Sequence, residues 1–160
     1  MQLIKDLKPE FDEITKCSVT RRSALLPILH KVQEKKGCLS ESILEEVAEY
    51  LQISRSDAFE VATFFALLYD DDIAENVILI CESVSCYLVG GESIIEALEA
   101  ETGAKIGKNS PDGIFTIRAY SCLGACDKSP SLLLNGVLHG HLTVDSIKEL
   151  VQDCRNNAAG

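Results

Sequence analysis

Two pairs of cysteines constrain this chain more than any other feature of it. Cys81-Glu-Ser-Val-Ser-Cys86 and Cys122-Leu-Gly-Ala-Cys126 put four thiols into two short loops, each following a stretch that reads as the end of a strand. Thiolate is the soft donor that iron-sulfur clusters and zinc select, so four converging thiols would make one compact inorganic centre. The spacings, four residues and then three, sit uneasily on the knuckles of structural zinc ribbons. They also differ from the plant-type ferredoxin run, which crowds three cysteines into one loop. The residues favour a 2Fe-2S cluster held by Cys81, Cys86, Cys122 and Cys126. Zinc stays open on the donor set alone. Four ordinary core thiols are the bland alternative, opposed by their tight pairing beside glycine.

Seven cysteines, an odd number, in a chain whose first ten residues break every apolar run with charge argue for metal or redox chemistry over a disulfide framework. No run approaches the length of a membrane span, so a cytoplasmic protein without direct membrane insertion is expected. With 25 acidic against 15 basic residues the net charge is -10, which would repel a phosphate backbone; nucleic acid is excluded as a partner on that ground.

The first half of the chain reads as helical. Leu25, Ile28, Leu29 and Val32 recur at the spacing of one buried helix face, with Pro27 expected to kink that helix or to mark its start. His30, beside the stripe, reads as packing or surface. Gly37 should end the helix and Ser40 cap the next, where Leu44, Val47, Ala48 and Leu51 repeat the pattern. Ser54 offers another cap, with Asp57 three residues on. The run Ala58 to Leu68 is apolar around most of its circumference and predicts a helix buried on several sides. Asp70-Asp71-Asp72 reads as a solvated linker, and the absence of a following glycine at EF-hand spacing excludes a calcium loop.

Composition changes after Asn76, which places the boundary between a helical domain, 1–74, and an α/β domain, 75–160. Val77 to Cys81 predicts an interior strand that delivers Cys81 to its end. Gly90-Gly91 predicts a turn before a helix carrying Ile94, Ile95 and Leu98 and ending at Gly103; it lacks the glycines or lysine of a phosphate-binding loop. Pro111-Asp-Gly113 predicts a turn, Ile114 to Tyr120 a strand delivering Cys122, and Asn135-Gly136 a two-residue hairpin. Gly124 is expected to let backbone N–H groups turn toward the sulfurs. Thr143 caps a final helix with Ile147, Leu150, Val151 and Cys154 on one face, making Cys154 a core thiol. Cys17 and Cys38 have no close cysteine partner and are left out of the site. His139 and His141, alternating along a strand edge, offer the minor possibility of a Rieske-like ligand. No dinucleotide fingerprint and no paired acid and base for hydride transfer occur.

Over nearly its whole length the chain resembles the thioredoxin-like 2Fe-2S subunit of NADH dehydrogenases, the NuoE-type subunit of respiratory complex I, with relatives in NAD-linked hydrogenases and formate dehydrogenases. The resemblance is carried by Leu26-Pro-Ile-Leu29, Glu60-Val-Ala-Thr-Phe-Phe65, Cys81 through Cys86, and Ser121-Cys-Leu-Gly-Ala-Cys126 with Asp127. Glu60, Phe65 and Cys38 depart from the Gly, Tyr and aromatic residue usual there. The resemblance implies an N-terminal helical bundle followed by a thioredoxin-like 2Fe-2S ferredoxin domain, with Cys81, Cys86, Cys122 and Cys126 as ligands. It implies electron transfer next to the FMN of an NADH-binding FMN/4Fe-4S flavoprotein (NuoF-type), with FMN and NAD(H) on that partner only. Further subunits, and a position at the cytoplasmic face of the inner membrane through the complex, follow from the same resemblance. The alternatives are the equivalent subunit of an NAD-dependent, electron-bifurcating hydrogenase or of a formate dehydrogenase, or a subunit whose cluster only stabilises its fold. A thioredoxin-like dithiol reductase is opposed by the absence of Cys-x-x-Cys.

Overall fold

The structure is a computed structural model that describes residues 2–65, 67–69 and 73–158, with side chains from Leu7 onward. It divides into two compact units, Met1–Asp72 and Ile73–Gly160. Asp70-Asp71-Asp72, expected to form a solvated linker, lies outside the described residues. No described helix is long and apolar enough to cross a membrane.

The first unit contains α1 (Gln2–Cys17), α2 (Leu25–Lys36), α3 (Glu41–Leu51) and α4 (Arg55–Phe64). The stripe on α2 is buried as its spacing requires, through Leu25, Ile28, Leu29 and Val32, while His30 is exposed. Pro27 falls in the first turn, where a missing N–H costs nothing because that donor has no intrahelical partner. Helix α1 was not expected. Pro9 lies inside it, yet Leu7 and Phe11 are buried and Ile14 packs against the same core, at offsets of four and three residues that a helix places on one face. It is tied to α3 by the Phe11 and Tyr50 rings, 5.3 Å apart, and by the Tyr50 hydroxyl donating to Asp12 Oδ1 at 2.6 Å.

Two helix expectations need correction. Ser40 occupies the position before α3, but its hydroxyl meets Ser42 Oγ at 3.1 Å and caps no backbone N–H. Ser54 does cap α4, accepting from the Asp57 N–H at 3.1 Å. The helix predicted to run from Ala58 to Leu68 stops at Phe64 and is not buried on several sides: within α4 only Ala58 and Ala62 are buried, and Phe64 is 78% exposed. The chain after it is tethered instead by Gln33, which donates to the Leu67 carbonyl and accepts from the Tyr69 N–H, each at 2.7 Å.

The second unit is a five-stranded mixed sheet with helices. Its elements are β1 (Asn76–Cys81), α5 (Val84–Leu88), α6 (Gly91–Thr102), β2 (Lys108–Asn109), β3 (Phe115–Tyr120), β4 (Leu132–Leu134), β5 (Val137–His139) and α7 (Val144–Ala158). The strand order is β2-β3-β1-β4-β5. Strands β1 and β3 run parallel and the other pairs antiparallel. Parallel central strands need both faces covered, and every residue of β1 is buried. Ile78, Ile80, Phe115 and Ile117 face a core completed by Ile94 and Leu98 of α6 and by Ile147, Val151 and Cys154 of α7. Asn135 and Gly136 both take positive φ, 49° and 83°, as a two-residue hairpin demands. Thr143 and Ser146 exchange bonds at the start of α7, the Ser146 N–H donating to Thr143 Oγ1 at 3.1 Å.

Candidate metal centre

The parallel pairing of β1 and β3 brings the two cysteine loops together. In the register, Cys81 stands opposite Tyr120, and the Glu82 N–H extends the ladder by one bond to the Tyr120 carbonyl at 2.9 Å. The chain therefore leaves the sheet at adjacent points, once toward Cys86 and once toward Cys122. On the other side of β1 the Cys81 N–H donates to the Ser131 carbonyl at 3.2 Å. A third loop, ending at Ser131 just before β4, thus meets the same corner. Two strands running the same way, with an antiparallel neighbour starting beside them, concentrate three loops at one end of the sheet.

The four sulfurs sit in unequal surroundings. Cys81 is 3% exposed and Cys86, on the inner side of α5, 1% exposed; Cys122 and Cys126 are exposed. Cys81 Sγ lies 3.4 Å from Ser83 Oγ. Cys86 Sγ lies 3.5 Å from Ser129 Oγ and 3.8 Å from Ser131 Oγ. The Gly124 N–H donates to Cys122 Sγ at 3.4 Å, with Gly124 at φ 73°, a conformation that L side chains rarely adopt. That is the contact its place between the second pair of cysteines predicts.

Thiol acidity reports the same convergence. Burial pushes the Cys86 thiol up, but its hydrogen bonding with Ser129, the Cys81 thiol, Ser83 and the Ser131 backbone outweighs that and brings it down to about 7. For Cys126 the Ser85 hydroxyl acts downward, while the Cys122 sulfur, a little burial and the charge of Cys86 carry it above its ordinary value. Cys81 and Cys86 are therefore neighbours, Cys122 and Cys126 are neighbours, and Cys86 and Cys126 feel each other across the pairs.

Among the described residues no three Cys, His, Asp or Glu side chains group as donors to a single metal ion. Two adjacent thiol pairs are what a dinuclear centre takes, two thiolates to each iron with inorganic sulfide between them; one tetrahedral zinc takes four donors around one point. The donor set and its pairing fit the 2Fe-2S group.

The backbone behind each pair is closely packed. A Cβ on Gly91, the first residue of α6, would stand 2.8 Å from the Cys86 carbonyl oxygen. A Cβ on Gly140 would stand 2.5 Å from Lys128 Cβ and 2.8 Å from its carbonyl oxygen, in the short 3-10 turn Cys126–Lys128. A cleft of about 230 Å³, lined by Cys81, Glu82, Tyr87, Gly91, Glu92 and Ile95, opens beside the first pair. Next to it the outer side of α5 presents Val84 and Leu88, each 75% exposed, with Tyr87, and Val89 just past the helix end is exposed as well.

Cys154 is buried in the α7 core, Cys17 is exposed and Cys38 half-buried. His139 lies in β5, and His141, exposed, donates its backbone N–H to the Lys128 carbonyl at 2.7 Å. The serines 83, 85, 129 and 131 are the residues that the spacing of the cysteines does not find. Ser83 and Ser85 lie inside the first loop and could have been read locally; Ser129 and Ser131 reach Cys86 only through the pairing of β1 with β4.

The family model of the thioredoxin-like [2Fe-2S] ferredoxins matches residues 11–155. The E 2 subunit of the NADH-quinone oxidoreductase of Rhizobium meliloti (strain 1021) is 36% identical over 135 residues, covering 84% of this chain and 80% of its own. The corresponding NADH-quinone oxidoreductase protein of Escherichia coli (strain K12), its E-type subunit, is 35% identical over 131 residues, covering 82% of this chain and 79% of its own. Among solved structures, an NAD+-reducing [NiFe]-hydrogenase in the air-oxidised state superimposes with a TM-score of 0.73 over 83% of this chain at 20% identity, a likeness of fold. This chain spans only 23% of that hydrogenase chain. With both cysteine pairs inside the matched residues, the chain belongs to the thioredoxin-like [2Fe-2S] ferredoxin family.

Proposed function

We propose that Cys81, Cys86, Cys122 and Cys126 hold one 2Fe-2S cluster and that the chain is the electron-transfer subunit beside the FMN of an NADH-oxidising flavoprotein partner, in an NADH:quinone oxidoreductase. The observation that carries the reading is the convergence of two thiol pairs at the ends of adjacent parallel strands. The NADH-quinone oxidoreductase relatives support the parent enzyme. When bound, the cluster supplies a one-electron acceptor and donor.

The work of the chain's own residues is to hold that group and to set its surroundings. Cys81 and Cys86 anchor it from the buried side; Cys122 and Cys126 hold it from the solvent side, where a partner can approach. The Gly124 N–H meets the sulfur of Cys122, and the serine hydroxyls meet those of the first pair. The exposed apolar side chains of α5 support docking of a partner beside the site, because a ridge of this kind is rarely left bare on a protein that works alone. We assign the two compact units to a helical domain and a cluster domain, with the boundary near residue 74, and place the chain at the cytoplasmic face of the membrane through its complex. Hydride transfer, FMN and NAD(H) belong to the partner.

The test is to add NADH anaerobically to the purified complex and follow the cluster's EPR signal. Appearance of the reduced signal within the turnover time is expected. A cluster that dithionite reduces but NADH does not would leave it only a stabilising part.

A further inference from the structure

Ser131 is among the few polar residues that are buried among the described residues, at 1% exposure. A buried hydroxyl without a partner costs roughly 1–3 kcal/mol, so its neighbours identify its use. Its Oγ lies 3.8 Å from Cys86 Sγ, and this is its hydrogen-bond neighbour among the described residues. Its own carbonyl accepts from the Cys81 N–H at 3.2 Å. One residue thus touches both members of the first cysteine pair, with its carbonyl on Cys81 and both its backbone and its side chain on Cys86.

Ser129 is differently engaged. Its hydroxyl donates to the Cys126 carbonyl at 2.9 Å, so its proton is already used and its oxygen faces Cys86 as an acceptor. A thiol can donate to that oxygen; a metal-bound thiolate cannot, since it has no proton. Once Cys86 is a ligand, Ser131 is the hydroxyl of the two with a proton free for its sulfur. Cys86 is itself 1% exposed, so its sulfur depends on protein groups, the Ser131 hydroxyl beside the Ser131 backbone and Ser83.

We propose, resting on the 2Fe-2S reading above, that the Ser131 hydroxyl is a dedicated hydrogen-bond donor to the Cys86 sulfur and raises the cluster's affinity for an electron. Reduction adds negative charge to the cluster and its sulfurs, so a donor aimed at one of them stabilises the reduced form more than the oxidised one. Ser131 is a positioning residue: it touches the ligand and acts through it.

Ser131→Ala and Ser131→Gly, both without the hydroxyl, are compared with the parent and with Ser131→Thr. The measurements are iron and sulfide content, the midpoint potential by EPR-monitored titration, and the visible sulfur-to-iron bands. The Ala and Gly variants are expected to keep full cluster content with shifted visible bands. Their electron affinity should fall about tenfold, about 59 mV for a one-electron couple, while Thr keeps the parent potential. Unchanged potential and bands in a fully loaded Ala or Gly variant overturn the proposal. So does loss of the cluster from both with the far-ultraviolet circular dichroism preserved, because the hydroxyl would then serve assembly. A parent chain without iron and sulfide would instead sink the 2Fe-2S reading itself.

Discussion

The four candidate ligands differ residue by residue, and so do the consequences of replacing them. Cys122 is exposed with one backbone donor on its sulfur, whereas Cys154, equally a cysteine, lies in the α7 core where burial and Asp153 push its thiol up. Cys122→Ser is expected to lose or destabilise the cluster and Cys154→Ser to keep it, by iron analysis and visible absorption; unchanged cluster content in the Cys122 variant would reject the ligand set. The glycines behind the loops make a second test. Gly91→Ala forces a methyl onto the Cys86 carbonyl and Gly140→Ala one onto Lys128. Each contact involves backbone that cannot swing aside, so each substitution is expected to destabilise by about 1–3 kcal/mol in urea unfolding and to reduce cluster loading. Parent-like stability and loading in both would show that the loops can shift freely.

Elements of this fold depend on how locally they are specified, which decides how much of them the sequence discloses. Strand β1, the stripe on α2 and the hairpin between β4 and β5 are written in neighbouring residues and are legible there. Helix α1 is obscured by Pro9, α5 has five residues and β2 two, too few for a periodicity. The α4 run reads as buried because apolar composition shows no faces; in the structure the helix ends at Phe64 and leaves that ring exposed. At the site, the two cysteine loops are legible from their spacing. Ser131 is not, because 45 residues separate it from Cys86 and only the β1–β4 register brings them together. Helix α7 is held to the sheet's far end by Arg155, which donates to the Glu101 carbonyl at 3.0 Å, pairs with Asp112 at 3.3 Å and covers the Phe115 ring. The Ser110 hydroxyl, the Ile114 N–H and the charge of Arg155 outweigh a small effect of burial and hold the Asp112 carboxyl below its usual range. A carboxyl lowered in the folded state contributes stability above its unfolded value, about 3.9, and loses that contribution as pH falls through the folded value. Asp112→Asn is therefore expected to lower Tm at neutral pH and to make the decline of Tm below about pH 4 shallower. A decline as steep as the parent's would mean that Asp112 has no share in it.

For the molecule as a whole, the second compact unit holds all four candidate ligands, the four serines beside them and both glycines that back the loops. A one-electron group needs only to be held and insulated on one side, with the other left accessible, and the contrast between buried Cys81 and Cys86 and exposed Cys122 and Cys126 provides that. The net charge of -10 and the proposed all-thiolate ligation disfavour adding an electron; the Gly124 N–H and the Ser131 hydroxyl act the other way. All of this rests on what the four thiols bind. Metal and acid-labile sulfide analysis of anaerobically purified protein, with EPR after dithionite reduction, tests that most directly. Two irons and two sulfides per chain with a spin-half signal are expected of a 2Fe-2S protein. Zinc without sulfide would contradict it and leave a structural metal site where an electron carrier is proposed.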